Sequence, residues 1–196
     1  MHTLAGVAAD PGTATAELVL PSGTALVLRP LEPRDRGGLA SFFDGLSARS
    51  RLYGGVSGDT VAQALEHCDA IGRYDKLRLA LCTGDRRIAG LLELSFDVVA
   101  ADVERFLGYG VDLGARDARF GLCIADAMQG TGAAALASTA TFDVAKTFGR
   151  NRLILWGGVR DGNVRARRFY RKLGFADLGT WLEPGGNLVR DGLLEL

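Results

Sequence analysis

The sequence predicts a single domain of the α/β (α+β) class, with a mixed, mostly antiparallel sheet flanked by helices. Three observations lead to this class. Segments with the two-residue period of strands and segments with the helical period follow one another along the chain. Hairpin turns join neighbouring strand segments, which favours antiparallel pairing. The 196 residues, 47% of them hydrophobic, suffice for one core and are short for two domains.

A flexible N-terminal arm is predicted for residues 1–22, and residues 23–196 are predicted to form the domain. The arm is assigned from its many small residues and from Pro11 and Pro21, which interrupt regular structure. The core is therefore expected to come from residues 23–196.

The first half of the domain alternates strands with helices. Asp59 is a predicted N-cap, and Thr83–Gly84–Asp85 is predicted to form a hairpin turn because glycine and aspartate tolerate positive φ. Residues 98–114 follow neither period and are predicted to be a long surface connection. The predicted elements are a strand over 24–29, helices over 33–45 and 59–70, and strands over 77–82 and 86–96.

The second half begins with a strand over residues 118–124 whose side chains alternate between two faces. The apolar set is Phe120, Leu122 and Ile124, and the opposite set is Arg119, Gly121 and Cys123. The helix after it has apolar residues every fourth position: Leu136, Ala140, Val144 and Phe148. Gly149 is expected to end that helix. A strand over 153–156, a helix over 164–173 and a hairpin around Pro184–Gly185–Gly186 complete the prediction.

Composition excludes several classes of partner. The formal net charge is zero, so no global field directs the chain to nucleic acid or to a membrane. Cys68, Cys82 and Cys123 are odd in number and lack C-x-x-C spacing, which indicates reduced thiols without a disulfide frame or a zinc site. The chain has no apolar run of membrane-spanning length, and its start lacks signal-peptide features. We expect a soluble cytoplasmic protein without a metal.

A glycine-rich turn precedes the predicted helix that carries Leu136. This turn, residues 129–134 (Gln-Gly-Thr-Gly-Ala-Ala), is called the glycine turn below. Backbone N–H groups at such a helix start, together with the helix dipole, favour a bound phosphate. The turn also fits G-x-G-x-x-A loosely, but no acidic residue ends the next strand, so the dinucleotide interpretation is weak. A Walker A loop is absent because no Gly-Lys-Ser/Thr follows.

Two segments resemble motifs of the GCN5-related N-acetyltransferase (GNAT) family. The glycine turn is similar to the family's Q-x-x-G-x-G/A acetyl-CoA motif. Residues 163–170 (Asn-Val-Arg-Ala-Arg-Arg-Phe-Tyr), followed by Leu-Gly-Phe at 173–175, are similar to its later N-x-x-A-x-x-F-Y…G-F segment. The two matches have the family's order and spacing, and a weaker likeness runs from Thr24 to the C-terminus. Residues 46–54 resemble the first-helix region of the family's bacterial protein-lysine acetyltransferases.

The resemblance implies a fold in which the strands near 118–124 and 153–156 splay apart and admit the pantetheine arm of acetyl-CoA. It implies acetyl-CoA as co-substrate, an amine acceptor as the other partner and, because the family is often dimeric, a homodimer as one assembly. Small residues at Gly121 and Cys123 would leave room for the arm. The cofactor-binding residues it implies are Ile124, Gln129, Gly130, Thr131, Gly132, Ala133, Ala134 and Asn163.

Acyl transfer from a thioester to an amine calls for a base and an acid, because an alkylammonium must lose a proton and the departing thiolate takes one. The resemblance assigns Tyr170 as the acid. Many relatives have a glutamate ten positions before the motif glutamine, where this chain has Arg119. Arginine cannot accept a proton at neutral pH. Glu93 is our first substitute, and Asp126 and Asp117 are weaker ones.

Arg119 is assigned to the substrate site instead, where it would pair with an anionic group of the acceptor. Several residues keep a second interpretation. Asn163 is a candidate N-cap whether or not it also touches the cofactor, and Tyr170 could be a core aromatic. Cys123 could be a nucleophile, although a small lining residue is favoured. His67 is interpreted as an ordinary histidine, since it has no ligand partner at metal spacing.

The basic face of the helix over 164–173 is either solvated or in contact with cofactor phosphates.

The predicted function is acetyl or acyl transfer from acetyl-CoA to a primary amine by direct attack in a ternary complex. The alternative is a catalytically weak acyl-CoA-binding domain that senses or regulates, for which Arg119 is the best argument. A remoter alternative is a nucleotide-binding α/β domain. The acceptor is not fixed by the sequence.

Overall fold

The computed structural model describes residues 1–196, which form a nine-stranded sheet in the order β1-β2-β3-β4-β5-β6-β9-β7, with β8 paired to β9. Pairing is antiparallel everywhere except between β5 and β6, which are parallel. The predicted class is confirmed. The strands are β1 (Ala16–Val19), β2 (Ala25–Pro30), β3 (Lys76–Thr83), β4 (Ile88–Ser95), β5 (Asp117–Ile124), β6 (Arg152–Leu155), β7 (Val159–Arg160), β8 (Ala176–Leu182) and β9 (Leu188–Glu195).

Helices cover both faces of the sheet, and no helix has the length and apolar character that a membrane span requires. The helices are α1 (Leu4–Ala9), α2 (Arg36–Asp44), α3 (Ala48–Tyr53), α4 (Thr60–Cys68), α5 (Ala70–Arg73), α6 (Ala100–Leu107), α7 (Ala133–Thr147) and α8 (Val164–Lys172).

The main core lies between the sheet and helices α1, α5, α7 and α8. Strands β3 to β5 contribute alternate large residues to it, Leu79, Leu92 and Phe120 among them, each fully buried. Of the apolar set predicted for α7, Phe148 is buried in the main core, but the helix face nearest the sheet consists mostly of small residues. Its buried residues are Ala133, Ala137, Ser138, Thr141, Phe142 and Ala145, and Leu136, Ala140 and Val144 lie half-buried at the side. Small side chains let this helix approach the sheet closely.

The opposite face carries two separate apolar clusters. Helices α2 and α4 pack one of them against β3 and β4, and Phe106 of α6 packs the other against Ile154 of β6. Between the two clusters, polar side chains cross the sheet instead of apolar ones. We call this set the polar band: Arg78 on β3, Glu93 and Ser95 on β4, and Arg119 on β5.

The first 22 residues are part of the folded domain and not the flexible arm that the sequence predicts. Thr3 caps α1 with its side chain, and β1 pairs antiparallel with β2. Val7, Ala14 and Leu20 are buried in the main core. The arm prediction was wrong because it relied on the many small residues of this segment. Three apolar side chains, spaced along it, anchor the segment in the main core.

Two further predictions need correction. Residues 98–114 contain α6, whose Phe106 is fully buried, so this stretch is more than a surface connection. In the turn between β3 and β4, the residue with positive φ is Arg86 (φ 64°), one position after the predicted turn. The Asp59 cap is confirmed, since its carboxylate accepts from the backbone N–H groups of Val61 and Ala62.

Candidate active site

The pairing of β5 with β6 ends halfway along β5 and leaves a gap between the strands. The ladder covers Asp117 to Phe120 on β5, and the N–H of Trp156 makes the last bond, to the Phe120 carbonyl. Gly157 and Gly158 then follow with φ of 67° and 71°, and the chain turns away. Because backbone groups of alternate residues point to the same side of a strand, those of Leu122 face this β5–β6 gap.

The glycine turn lies at the end of the gap and opens α7. Gly130 and Gly132 have φ of 86° and 94°, a conformation that a side chain at Cβ would strain. Thr131 turns its hydroxyl onto the Met128 carbonyl. The backbone N–H groups of Gly130, Gly132 and Ala134 donate to no group of the protein. Three unpaired donors at a helix N-terminus are a ready site for a phosphate.

Gln129 ties the turn to its surroundings through its amide. Its Nε2 donates to the Ile124 carbonyl at 3.2 Å and to Ser50 Oγ at 3.1 Å, and its Oε1 accepts from Arg165 Nη1 at 2.7 Å. Arg165 belongs to the first turn of α8, so its guanidinium reaches the glycine turn. A Cβ built on Gly130 would lie 3.5 Å from Arg165 Nη2. A positive charge therefore stands beside the three unpaired N–H groups.

Tyr170 approaches the gap from the main-core side. Its ring packs against Phe120, Phe169 and Phe175. Burial raises the pKa of its phenol, and the nearby Cys123 thiol adds to that increase. Its hydroxyl has no hydrogen-bond partner in the protein, and a raised pKa keeps the proton on it. Tyr170 is thus a packed aromatic whose protonated hydroxyl lies on the Cys123 side of the main core.

Helix α3 covers the gap from the other face. Its last turn ends at Gly54, where a Cβ would lie 2.6 Å from Cys123 Sγ, so only glycine fits against this thiol. Burial raises the pKa of Cys123 to about 12. The thiol is therefore protonated at neutral pH, which favours the lining role over the nucleophile.

Asp126 fastens the start of α3. Its carboxylate accepts from the backbone N–H and the hydroxyl of Ser47 and from the hydroxyl of Ser50. These bonds lower the pKa of Asp126. Asp117 is equally engaged, with Arg152 and with the N–H of Gly114, at the far end of β5. Both carboxylates have structural partners and neither lies free in the gap.

Glu93 lies in the polar band, opposite Gly121 in the β4–β5 register. Gly121 is the first residue of β5 beyond the ladder with β6, so Glu93 stands where the gap begins. Its carboxylate accepts from Arg78 Nε and lies 3.9 Å from His67 Nε2, measured from Oε1. The Glu93 side chain is 22% exposed, against 7% for Arg78. The Glu93 carboxylate thus remains partly accessible although it is paired with Arg78.

Arg119 occupies the same face but is not free. It donates to Ser95 Oγ and to Asp97 Oδ1, both at 3.0 Å, and is only 7% exposed. Its guanidinium lies 4.7 Å from the centre of the Trp156 ring, and Lys76 Nζ lies 5.0 Å from the same ring. The predicted pairing with an acceptor anion would therefore compete with Asp97, whose pKa is lowered in part by Arg119.

The remaining predicted residues have these positions. Asn163 is the N-cap of α8, accepting from the Ala166 N–H at 3.2 Å. Ile124 is buried and offers its carbonyl to Gln129. Ala133 donates to Thr131 Oγ1 at 3.3 Å. No group of three or more potential metal ligands occurs, and all three cysteines are free thiols.

Comparison with known proteins agrees with this geometry. The family described as acetyltransferase (GNAT) domain matches residues 25–176. The chain belongs to the GNAT acetyltransferase family. GNAT domains transfer an acyl group from acetyl-CoA to an amine, so the chain is an acetyltransferase domain. No curated protein matches the sequence significantly.

Solved structures share the GNAT fold. The GNAT domain of S. lividans PAT superposes with a TM-score of 0.73 at 22% identity, covering 95% of this chain and 99% of that one. A GCN5-related N-acetyltransferase from Kribbella flavida gives 0.65 at 19%, covering 87% and 98%. The spermidine/spermine N-acetyltransferase SpeG from Vibrio cholerae gives 0.62 at 19%, covering 87% and 92%.

The residues present fit the co-substrate that GNAT domains use. The glycine turn supplies unpaired donors for a diphosphate, Arg165 supplies a counter-charge, and the gap has the backbone of Leu122 on one wall. Acetyl-CoA bound there would supply the activated thioester. Sequence reasoning left three neighbours of this site without a role, namely His67, Trp156 and the Ser47–Ser50 pair. Their function depends on contacts between distant segments, which no local pattern shows.

Proposed function

We propose that this GNAT domain transfers an acetyl group from acetyl-CoA to a primary amine by direct attack in a ternary complex. One observation carries the proposal. Tyr170 and Glu93 lie on opposite faces of the sheet, next to the adjacent β5 residues Phe120 and Gly121. Tyr170 packs on Phe120, and Glu93 is the register partner of Gly121. A proton donor and a proton acceptor therefore flank the point where β5 and β6 part.

The co-substrate side is assigned to the glycine turn and its neighbours. The N–H groups of Gly130, Gly132 and Ala134 would hold the diphosphate, with Arg165 as counter-charge. Gln129 fixes the turn against Ile124, while Thr131 and Ala133 shape it. Asn163 keeps its role as the cap of α8 and brings that helix start to the turn.

The acceptor side is assigned to the polar band. Glu93 binds the amine and accepts its proton as the N–C bond forms, since an ammonium cannot attack. Tyr170 donates its phenolic proton to the departing sulfur as the C–S bond breaks. The N–H of Leu122 points into the gap and can bond the thioester oxygen while negative charge develops on it. Helix α3 packs on Cys123 through Gly54 and so covers one face of the gap.

The second candidate is a catalytically weak acyl-CoA-binding sensor. Arg119 favours it, because a cation stands at the position where many relatives carry a glutamate, and Asp126 and Asp117 are tied to structural partners. The two candidates share the co-substrate site and differ only at the polar band. Cofactor binding alone therefore does not separate them.

A thiol-release assay with acetyl-CoA and a panel of amines separates them. The panel contains spermidine, a lysine-containing peptide, a peptide with a free N-terminus and free amino acids. Acetyl transfer predicts release that depends on one acceptor class and falls strongly in Tyr170→Phe. Tight acetyl-CoA binding without acceptor-dependent release across the panel would favour the sensor. Binding of NAD or ATP in place of acetyl-CoA would contradict both.

A further inference from the structure

His67 faces the polar band from α4. Its Nε2 lies 3.9 Å from Glu93 Oε1, and its ring packs edge-on against Phe43 of α2 with 5.6 Å between ring centres. The side chain is only 12% exposed. Its Nδ1 is buried without a hydrogen-bond partner. An imidazole held in this way has one nitrogen in the protein interior and one directed at the proposed base.

The groups around the ring keep it neutral. Burial and the positive charge of Arg78 on β3 lower the pKa of His67, and Glu93 on β4 and Glu66 on its own helix oppose this shift. Helix α2 contributes only the apolar Phe43 ring to these contacts. The backbone carbonyl of Gln63, one turn earlier on α4, also raises the pKa. To accept a proton from Glu93, the ring must carry its own proton on Nδ1 and keep the lone pair on Nε2.

We propose that His67 is the final acceptor of the amine proton, which Glu93 takes from the substrate and passes to Nε2. This assignment rests on the acetyl transfer proposed above. In the balanced step, the amine N–H bond breaks, the N–C bond forms and the C–S bond breaks. The amine proton ends on His67 Nε2, and the Tyr170 proton ends on sulfur.

The relay has a chemical reason. Because the imidazole of His67 stays neutral, a ring nitrogen has a lone pair available to take a proton near neutral pH. Transfer to Nε2 returns Glu93 to its carboxylate form, in which it again bonds Arg78 and can receive another amine. The imidazolium formed beside that carboxylate is an ion pair, and it can lose its proton to solvent between turnovers.

The first test is a nitrogen NMR titration, which is simple because His67 and His2 are the only histidines. His2→Gln serves as the background. We expect His67 to carry its proton on Nδ1 at pH 7 and to titrate below the ordinary value of about 6.5. In Glu93→Gln the titration should move lower still, because the neighbouring negative charge is lost. A proton on Nε2 at pH 7, or an identical titration in Glu93→Gln, would overturn the relay.

The second test is kinetic and uses the panel amine with the highest kcat/KM. We expect His67→Gln to lower kcat at least tenfold, to leave acetyl-CoA affinity within twofold, and to lose the rise of rate with pH that neutral His67 causes. In His67→Ala, added imidazole should restore part of the rate. Unchanged kcat in folded His67→Gln, or a loss that neither imidazole nor pH alters, would assign His67 to packing and overturn the relay.

The two tests also separate this inference from the proposed function. If no panel amine is acetylated although the titrations of His67 and Glu93 are coupled, acetyl transfer has failed and the relay fails with it. If an amine is acetylated and the titrations are independent, only the relay is overturned.

Discussion

Arg165 Nη1 donates a 2.7 Å hydrogen bond to Gln129 Oε1, which joins the first turn of α8 to the glycine turn. The same guanidinium stands near Gly130, whose N–H has no partner. Arginine binds phosphates with two parallel bonds, so a diphosphate on the turn offers Arg165 a stronger partner than a neutral amide. The bond to Gln129 therefore holds the guanidinium in place for an anion.

Arg165→Gln should weaken acetyl-CoA binding about tenfold, since one charge-assisted bond contributes roughly 1.5–3 kcal/mol and part of it is replaced by water. Arg168→Gln is the matched control, because Arg168 lies on the same helix and is exposed. Calorimetric titration of both variants gives the comparison. Equal losses in the two would mean that only the overall charge of α8 matters.

Gly132→Asp should abolish stabilisation by acetyl-CoA. The residue has φ of 94° and lies between two of the unpaired N–H groups, so a carboxylate there adds strain and repels phosphate. The wild type should gain about 2.7 kcal/mol at a hundredfold excess over Kd. Gly186→Asp, at φ 79° in the β8–β9 turn, controls for the backbone strain. Thermal unfolding with and without acetyl-CoA measures the effect. If acetyl-CoA still raised the unfolding temperature of Gly132→Asp, the phosphates would not bind at this turn.

Tyr170→Phe should lower kcat about a hundredfold and leave acetyl-CoA affinity unchanged, because the ring contacts remain and only the proton is lost. Since burial raises the pKa of the phenol, the wild type should keep this proton until above pH 10, and the rate should not fall there for lack of the acid. Tyr109→Phe is the control, because it removes a tyrosine hydroxyl that donates to Asp191 of β9, away from the gap. Wild-type kcat in Tyr170→Phe would leave water as the proton donor.

Arg119→Glu should destabilise the fold by about 3 kcal/mol or more, because it replaces a buried cation with a buried carboxylate that has no cation of its own. The new carboxylate would face Asp97 and the buried Asp102, whose Oδ2 lies 3.7 Å from Arg119 Nη1. Restored base activity is therefore not expected, even though this is the position at which relatives have glutamate. Arg87→Glu, on an exposed turn, should cost less than about 0.5 kcal/mol. Urea unfolding compares them, and a stable, faster Arg119→Glu enzyme would contradict this view.

Val7→Ala should destabilise the domain by about 2 kcal/mol, because it empties a fully buried site in the main core. Val19→Ala makes the same chemical change at a side chain that is 64% exposed, and its cost should stay below about 0.5 kcal/mol. Equal free energies of unfolding for the two variants in denaturant would mean that residues 1–22 form a flexible arm after all.

The sequence predicted what local patterns can encode. The alternation of β5 side chains between two faces, the Asp59 and Asn163 caps and the glycine turn are all present as predicted, because each depends on residues within a few positions of one another. The α7 prediction found Phe148 and three half-buried residues but missed the small residues nearest the sheet, because period alone does not show how close a helix lies to a sheet. Burial of Val7 depends on tertiary contacts that composition does not reveal.

In the site, too, local features could be predicted and contacts between distant residues could not. The glycine turn could be predicted from its own residues, but the partners of Arg119 could not, since Asp97 and Ser95 lie 22 and 24 positions away. The same is true of the approach of His67 to Glu93. Acid and base assignments in this domain therefore depend on which distant side chains the fold brings together.

The position of Trp156 gives the molecule an optical reporter. Its indole lies close to both the Lys76 and Arg119 cations, at the point where β5 and β6 part, and Trp181 is the only other tryptophan. Indole emission depends on nearby charge and on water, so ligands entering the gap should change the fluorescence of this ring. With Trp181→Phe as the background, stopped-flow fluorescence could follow each arrival and departure at the site without a label.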